Sequence, residues 1–91
     1  MNPKLHVRII SPKEVIFEAD ASSVSSVNSL GKFDILPLHA NFISLIENKP
    51  IIIRTLDNKQ SSFTFKIAII YFLQDKVNIY TDIQLNIPQV N

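Results

Sequence analysis

The chain contains no cysteine and no tryptophan, and only one glycine, among its 91 residues. Without cysteine there is no disulfide staple, no thiolate metal site and no cysteine nucleophile. That absence fits a reducing compartment without establishing one, because many secreted folds also lack cysteine. A lone glycine, Gly31, excludes the phosphate-cradling loop and the dinucleotide fingerprint, which use several glycines to bring backbone against phosphate. The glycine-flanked serine elbow of hydrolases goes with them. Charge of one sign is missing as well. Nine Lys and Arg face eight Asp and Glu, for a formal charge of +1, and no three basic residues are adjacent. Neither the phosphate neutralisation that drives nucleic-acid binding nor a polybasic membrane patch is on offer. The longest apolar run, Ile67–Leu73, falls far short of the roughly 20 residues a membrane-spanning helix needs. His6 and Arg8 sit where a signal peptide is uniformly apolar.

What is present is 46% hydrophobic and 19% charged side chains, the composition of one small globular domain. A chain this short buries only about 60–65% of its unfolded surface, so a stability of about 5–10 kcal/mol is expected. Ile, Val, Phe, Thr and Ser dominate the ordered-looking segments, and that is strand composition. Leu5, Val7 and Ile9 alternate with His6 and Arg8 until Ser11-Pro12-Lys13 breaks the run. Val15-Ile16-Phe17 is a second candidate strand, and Val24 and Val27 mark a weakly patterned, serine-rich third. Phe33–Leu36, stopped by Pro37, and Phe42–Ile46 follow, then a turn at Asn48-Lys49-Pro50 into Ile51–Thr55. Leu56–Lys59 reads as a hairpin turn into the alternating Ser62–Ile67, and Gln74-Asp75-Lys76 as the last tight connection before Val77–Thr81. Turn signals at intervals of roughly 8–12 residues predict an all-β fold, a small antiparallel β-sandwich or flattened barrel over residues 1–82 with a short tail, 83–91. The alternation assigns Val7, Ile9, Phe17, Phe33, Ile35, Ile53, Phe65 and Ile79 to its core.

Catalytic constellations are not to be found. His6 and His39 lie far apart in sequence, and neither has a second ligand at helical spacing, so no metal site is expected. Glu14 and Glu18 share a strand face but stand too far apart for a glycosidase-like pair. Phe63, Phe65 and Tyr71 lack interleaved basic residues, which favours core packing over base stacking. The residues alone leave open a free-standing β adaptor that binds a protein or peptide by edge pairing, or a small oligonucleotide-binding barrel.

One segment, Gly31-Lys32-Phe33-Asp34-Ile35-Leu36-Pro37-Leu38-His39-Ala40-Asn41-Phe42, is more specific. It resembles the signature of the epsilon subunit of F-type ATP synthases: glycine, an acidic or polar residue, an apolar one, glycine, then Ile-Leu-Pro-Gly-His-Ala-Pro-Leu. The opening Leu5–Ala19, with its Ser11-Pro12 turn, is similar to that family's first hairpin, and Lys76–Asp82 to the strand closing its β domain. The chain departs from the pattern where the family has glycine, at Ser29, Asp34, Leu38 and near Ile67-Ala68, and where it has proline, at Asn28 and Asn41. Lys32 is basic where an acidic residue is common. Turns that lose glycine have to be rebuilt, with asparagine a ready substitute at positive φ.

The resemblance implies a non-catalytic central-stalk (rotor) subunit. It would bind the gamma subunit and the c-ring and couple proton-driven rotation to ATP synthesis. It would be peripheral on the cytoplasmic face of the inner or plasma membrane, or on the matrix or stromal face in an organelle. It also implies a ring-facing edge of Gly31, Lys32, Pro37, Leu38, His39 and Ala40, and a gamma contact at Ser11, Phe42 and Ile43. No cofactor, nucleic-acid partner or direct membrane contact is implied. Many members continue into a helical hairpin that in some binds ATP. Here only Ile83–Asn91 follows Asp82, with Pro88 near its end, too short for two helices. Either a natural short member or a chain cut at the domain boundary is expected, the initial Met slightly favouring the first, and no ATP binding on either view.

Overall fold

Burial alternates along nearly every strand, and the two breaks in the alternation decide how the chain folds. The computed structural model describes residues 3–82, and all the regular structure in them is strand. The strands are β1 (Leu5–Ile10), β2 (Val15–Asn28), β3 (Gly31–Ile35), β4 (Phe42–Glu47), β5 (Pro50–Thr55), β6 (Gln60–Thr64), β7 (Ile67–Leu73) and β8 (Lys76–Thr81). The expected tail, 83–91, lies outside the described residues.

The hydrogen-bonded order β4-β7-β8-β1-β2-β5-β6, with β3 also on β2, is one sheet that folds over itself. The hinge is β2, which runs 14 residues where only its first part was patterned clearly as a strand. Its first half pairs with β1 and its second half with β3 and β5. Between them the register slips by one residue at Ser22, whose hydroxyl donates to the Arg54 carbonyl at 3.2 Å. This bulge explains why the serine-rich stretch reads weakly: buried positions run Ala21, Val24, Ser26, so the period of two skips a beat. A second slip, between Ile9 and Ile10, leaves Ile16 unpaired near the start of β2. Two layers result. One holds β4, β7, β8, β1 and the start of β2; the other holds β3, the end of β2, β5 and β6.

Among the described residues all the pairings are antiparallel save one: β1 runs parallel to β8, with Val7 opposite Val77 and Ile9 opposite Ile79. Along one side the layers are tied by Phe33 against Phe42, ring centroids 5.0 Å apart, and by Asn28 Nδ2 donating to Ser44 Oγ at 3.0 Å. Of the expected core, Val7, Ile9, Ile35, Ile53 and Ile79 are fully buried. Phe17, Phe33 and Phe65 are instead half-buried and pack against the core from its margins. Phe17 meets Phe63 edge-on at 5.1 Å, closing the side of the sandwich opposite Phe33.

The expected strand Ser62–Ile67 is broken at Phe65-Lys66, because both carbonyls there accept from Asn48 N, at 3.1 and 3.2 Å. The two expected hairpin turns form. Gln74 and Asp75 both take positive φ, 50° and 61°, as a two-residue turn between Leu73 and Lys76 requires. With a single glycine available, the left-handed backbone is carried by Leu38, Asn48, Asn58, Gln74, Asp75 and Asp82. Asparagine supplies only two of these.

Candidate interaction surface

The outer face of the β4-β7-β8-β1-β2 layer is where the sequence and the fold disagree most visibly with a simple half-wet sheet. Cross-strand register places its outward residues in rows. One row reads Leu45, Ile69, Tyr80, Ile10; the next Ile43, Tyr71, Asn78, Arg8, Glu18; the third Leu73, Lys76, His6, Asp20. The face is therefore divided lengthwise. Its β4–β7 half is apolar and open to solvent, with Ile43 65% and Leu45 51% exposed and Tyr71, Leu73 and Tyr80 beside them. Scattered exposed apolar side chains are ordinary, whereas a contiguous sheet of them marks a contact surface.

The β1–β2 half is a ladder of charges. Lys4 Nζ reaches Asp20 Oδ2 at 3.0 Å, His6 Nδ1 lies 2.9 Å from Asp20 Oδ1, and His6 Nε2 lies 2.5 Å from Glu18 Oε2. Arg8 Nε stands 3.9 Å from the same Glu18 oxygen. The hydrogen bond to Asp20, seconded by Glu18, holds the His6 ring above its ordinary pKa, and the Asp20 carboxyl is lowered by His6 first and Lys4 second.

The residues singled out from the sequence fall into three places. Gly31 and Lys32 stand at the β2–β3 hairpin, beside Leu30, which is 94% exposed at its tip. Gly31 has φ +121°, and a Cβ there meets no atom within 4 Å, so the backbone alone demands glycine. Pro37, Leu38, His39 and Ala40 form the loop at the opposite end of β3, five residues away at about 3.4 Å each. The structure does not bring these two groups together.

That second loop is held to the β7–β8 turn: Leu38, at φ 68°, donates its N–H to Asp75 Oδ1 at 2.8 Å. His39 Nδ1 donates to the Ala40 carbonyl at 2.7 Å, and its ring lies edge-on to Phe42 and Phe72, each 6.0 Å away. Phe42 itself is half-buried against Phe33, while its neighbour Ile43 belongs to the open apolar half. Ser11 is apart from both. Its Oγ accepts from Glu14 N at 3.2 Å and donates to the Glu14 carbonyl at 3.1 Å, shaping the β1–β2 turn three strands across from β4.

Sequence reasoning missed Leu45, Ile69, Tyr71, Leu73 and Tyr80. The signal was available. A seven-residue apolar run, Ile67–Leu73, can bury only alternate members in a sheet with one face covered, so the others had to surface. Among the described residues, no group of three or more His, Cys, Asp or Glu could hold a metal ion.

Two layers of strand that share a hinge strand, with an open apolar half on the outside of one of them, make a small β-sandwich domain. Residues 4–86 match the family described as the ATP synthase Delta/Epsilon chain, beta-sandwich domain, and the chain belongs to that family. Among curated proteins it is similar to the ATP synthase epsilon chain of Sulfurovum sp. (strain NBC37-1), 27% identical over 86% of this chain and 61% of that protein. It is also similar to the epsilon chain of Rickettsia felis, 28% identical over 100% of this chain and 83% of the relative. A shorter match, 48% identical, covers 48% of this chain and 34% of the Campylobacter concisus epsilon chain. The chain thus spans between a third and four fifths of the length of these relatives. Among solved structures, a chain of the Euglena gracilis mitochondrial ATP synthase (OSCP/F1/c-ring) superposes with a TM-score of 0.79 at 11% identity, covering 89% of this chain and 52% of that one. A chain of the Tetrahymena thermophila ATP synthase central stalk and c-ring gives 0.69 at 14% identity, over 86% and 63%. These likenesses extend the fold across very distant sequences.

Proposed function

We propose that this chain is a non-catalytic central-stalk subunit of an F-type ATP synthase, bound to the gamma subunit and resting on the c-ring, and that it helps couple rotation to ATP synthesis. The observation that carries the reading is the open apolar half of the outer face, in a domain whose relatives are epsilon chains. A face of Ile43, Leu45, Ile69 and Tyr71 has little use in isolation and suits a large, permanent protein contact. Gamma is its occupant in this reading. Affinity then comes from apolar burial and orientation from the charged half beside it. A stiff two-layer sheet suits torque, since its register cannot slip without turning the core outward.

The c-ring contact falls at one end of β3. Because Gly31-Lys32 and Pro37–Ala40 lie at opposite ends of that strand, a flat ring surface meets one group at a time. The domain is peripheral in this proposal, on the cytoplasmic, matrix or stromal side; no helix of the described residues is long and apolar enough to cross a membrane. Free-standing edge pairing is the second reading, favoured by β4, which ends the sheet with one edge unpaired among the described residues.

Co-expression with gamma tests the first. The chain should co-purify with gamma, and Ile43→Asp with Tyr71→Lys, an opposite-charge pair across the same rung, should abolish that while leaving the chain folded. Co-purification untouched by the double change sinks the proposed face. In membranes, Lys32→Glu and His39→Ala then ask which end meets the ring, by which of them uncouples proton pumping.

A further inference from the structure

The charged half of the outer face has an arrangement that docking alone does not require. His6 stands between two carboxylates, with one ring nitrogen 2.9 Å from Asp20 Oδ1 and the other 2.5 Å from Glu18 Oε2. A carboxylate at neutral pH only accepts, so a ring bonded to both must donate from both nitrogens, which is the imidazolium form. A neutral ring satisfies one partner and turns a lone pair on the other. The two carboxylates are not equally secured. Asp20 also holds Lys4 Nζ at 3.0 Å, whereas Glu18 has besides His6 only Arg8 Nε at 3.9 Å. That Arg8 nitrogen is buried and makes no hydrogen bond, so it waits on the carboxylate that His6 positions.

We propose that Lys4, His6, Arg8, Glu18 and Asp20 form a proton-operated clasp across β1 and β2. With the ring doubly protonated, His6 ties both carboxylates to the sheet face. When one ring proton leaves, the remaining N–H stays with Asp20, and Glu18 swings into solvent. The other neighbours of His6 oppose or ignore the proton without outweighing two carboxylates. Lys76 stands opposite on β8, and the His6 amide is taken by the Asp75 carbonyl at 2.9 Å. The Asp75 carboxylate is engaged with Leu38 N, and Leu73, next in the row, is uncharged. The raised affinity of His6 for its proton, caused first by Asp20 and then by Glu18, puts the switch above the ordinary histidine value of 6.5.

Opening changes what the clasp presents, from three cations against two carboxylates to two against two, with Glu18 mobile. On the docking reading this makes the approach of a partner to the neighbouring apolar half pH-dependent. The clasp itself stands without that reading, because it operates within the 91-residue chain.

A nuclear magnetic resonance titration of the whole chain, following both imidazoles and the side-chain carboxyl carbons, tests it. The His6 midpoint should lie above the ordinary histidine value, and the Glu18 carboxyl carbon should move a second time at the His6 midpoint. Glu18→Gln and Asp20→Asn should each lower the His6 midpoint. Raising the salt in the unaltered chain should lower it too, so the test survives if a variant fails to fold. A His6 midpoint at or below the ordinary value, or one that neither substitution nor salt moves, overturns the clasp. Loss of gamma binding with the titration intact would count against the docking face and not against the clasp.

Discussion

Leu38 holds a backbone conformation that leucine resists, and replacing it with glycine should stabilise the protein. Its φ of 68° lies in the left-handed region, where a side chain's Cβ crowds the following carbonyl at a cost of about 1–2 kcal/mol. Glycine removes that cost. Against it stands the greater freedom of glycine in the unfolded chain, worth about 0.4–1 kcal/mol. Lost packing adds little, because the side chain is 78% exposed. The N–H at this position keeps its bond to Asp75 Oδ1, since the donor is backbone. The net expectation is a gain of about 0.5–1 kcal/mol, or roughly 2–8 °C in Tm for a domain of this size. Circular dichroism melts and urea titrations of the unaltered chain and the Leu38→Gly variant measure it, with an unchanged m-value. Leu38→Ala is the control: it trims the side chain but keeps the Cβ, so it should gain nothing. A glycine variant no more stable than the alanine one would refute the strain argument, and with it the reading of this loop as a turn built for glycine.

Three further outcomes are expected. Ile35→Ala should cost about 2–5 kcal/mol in urea unfolding, and Phe33→Ala less than the roughly 3–5 kcal/mol of a fully buried phenylalanine, because Ile35 is sealed in the core and Phe33 caps its margin; a loss at Phe33 in that full range would contradict the placement of the rings. Stability should fall as pH rises through the raised pKa of His6, whose contribution is complete below its ordinary value of 6.5. It should also fall as pH drops through the lowered pKa of Asp20, complete above its ordinary 3.8, so melts across pH should peak between those values, and His6→Gln should flatten the alkaline limb. Calorimetric titration with ATP should show no binding; a micromolar dissociation constant would contradict the sequence expectation that this chain carries no nucleotide site.

Much of the architecture was legible in the residues because strand periodicity is local. Leu5, Val7 and Ile9, or Val77 and Ile79, announce one buried face by alternation alone, and the chain carries that pattern into any sheet it enters. The Gly31–Phe42 segment was enough to suggest the family, and Gly31 does occupy a backbone position that glycine adopts freely and a side chain resists. Pairing is a different matter. Nothing near β1 or β8 in sequence says that they run parallel as neighbours, since that contact joins opposite ends of the chain and is chosen by the whole core. Ser22 looks like any other serine until two partners with different registers flank β2 and one residue has to bulge. The three aromatic rings expected inside were correctly oriented but stand at the margins, because alternation reports the side of a strand and not its distance from the edge of the sandwich. The candidate surface followed the same rule. Ile43 was named from the sequence, but Leu45, Ile69 and Tyr71 became one surface with it only when β4 paired with β7. His6, Glu18 and Asp20 likewise became a clasp only through the β1–β2 register, and the ends of β3 parted Lys32 from His39. Which residues turn the same way is written in neighbours two apart; which residues meet depends on contacts between distant segments, and those exist only once the chain has closed around its core.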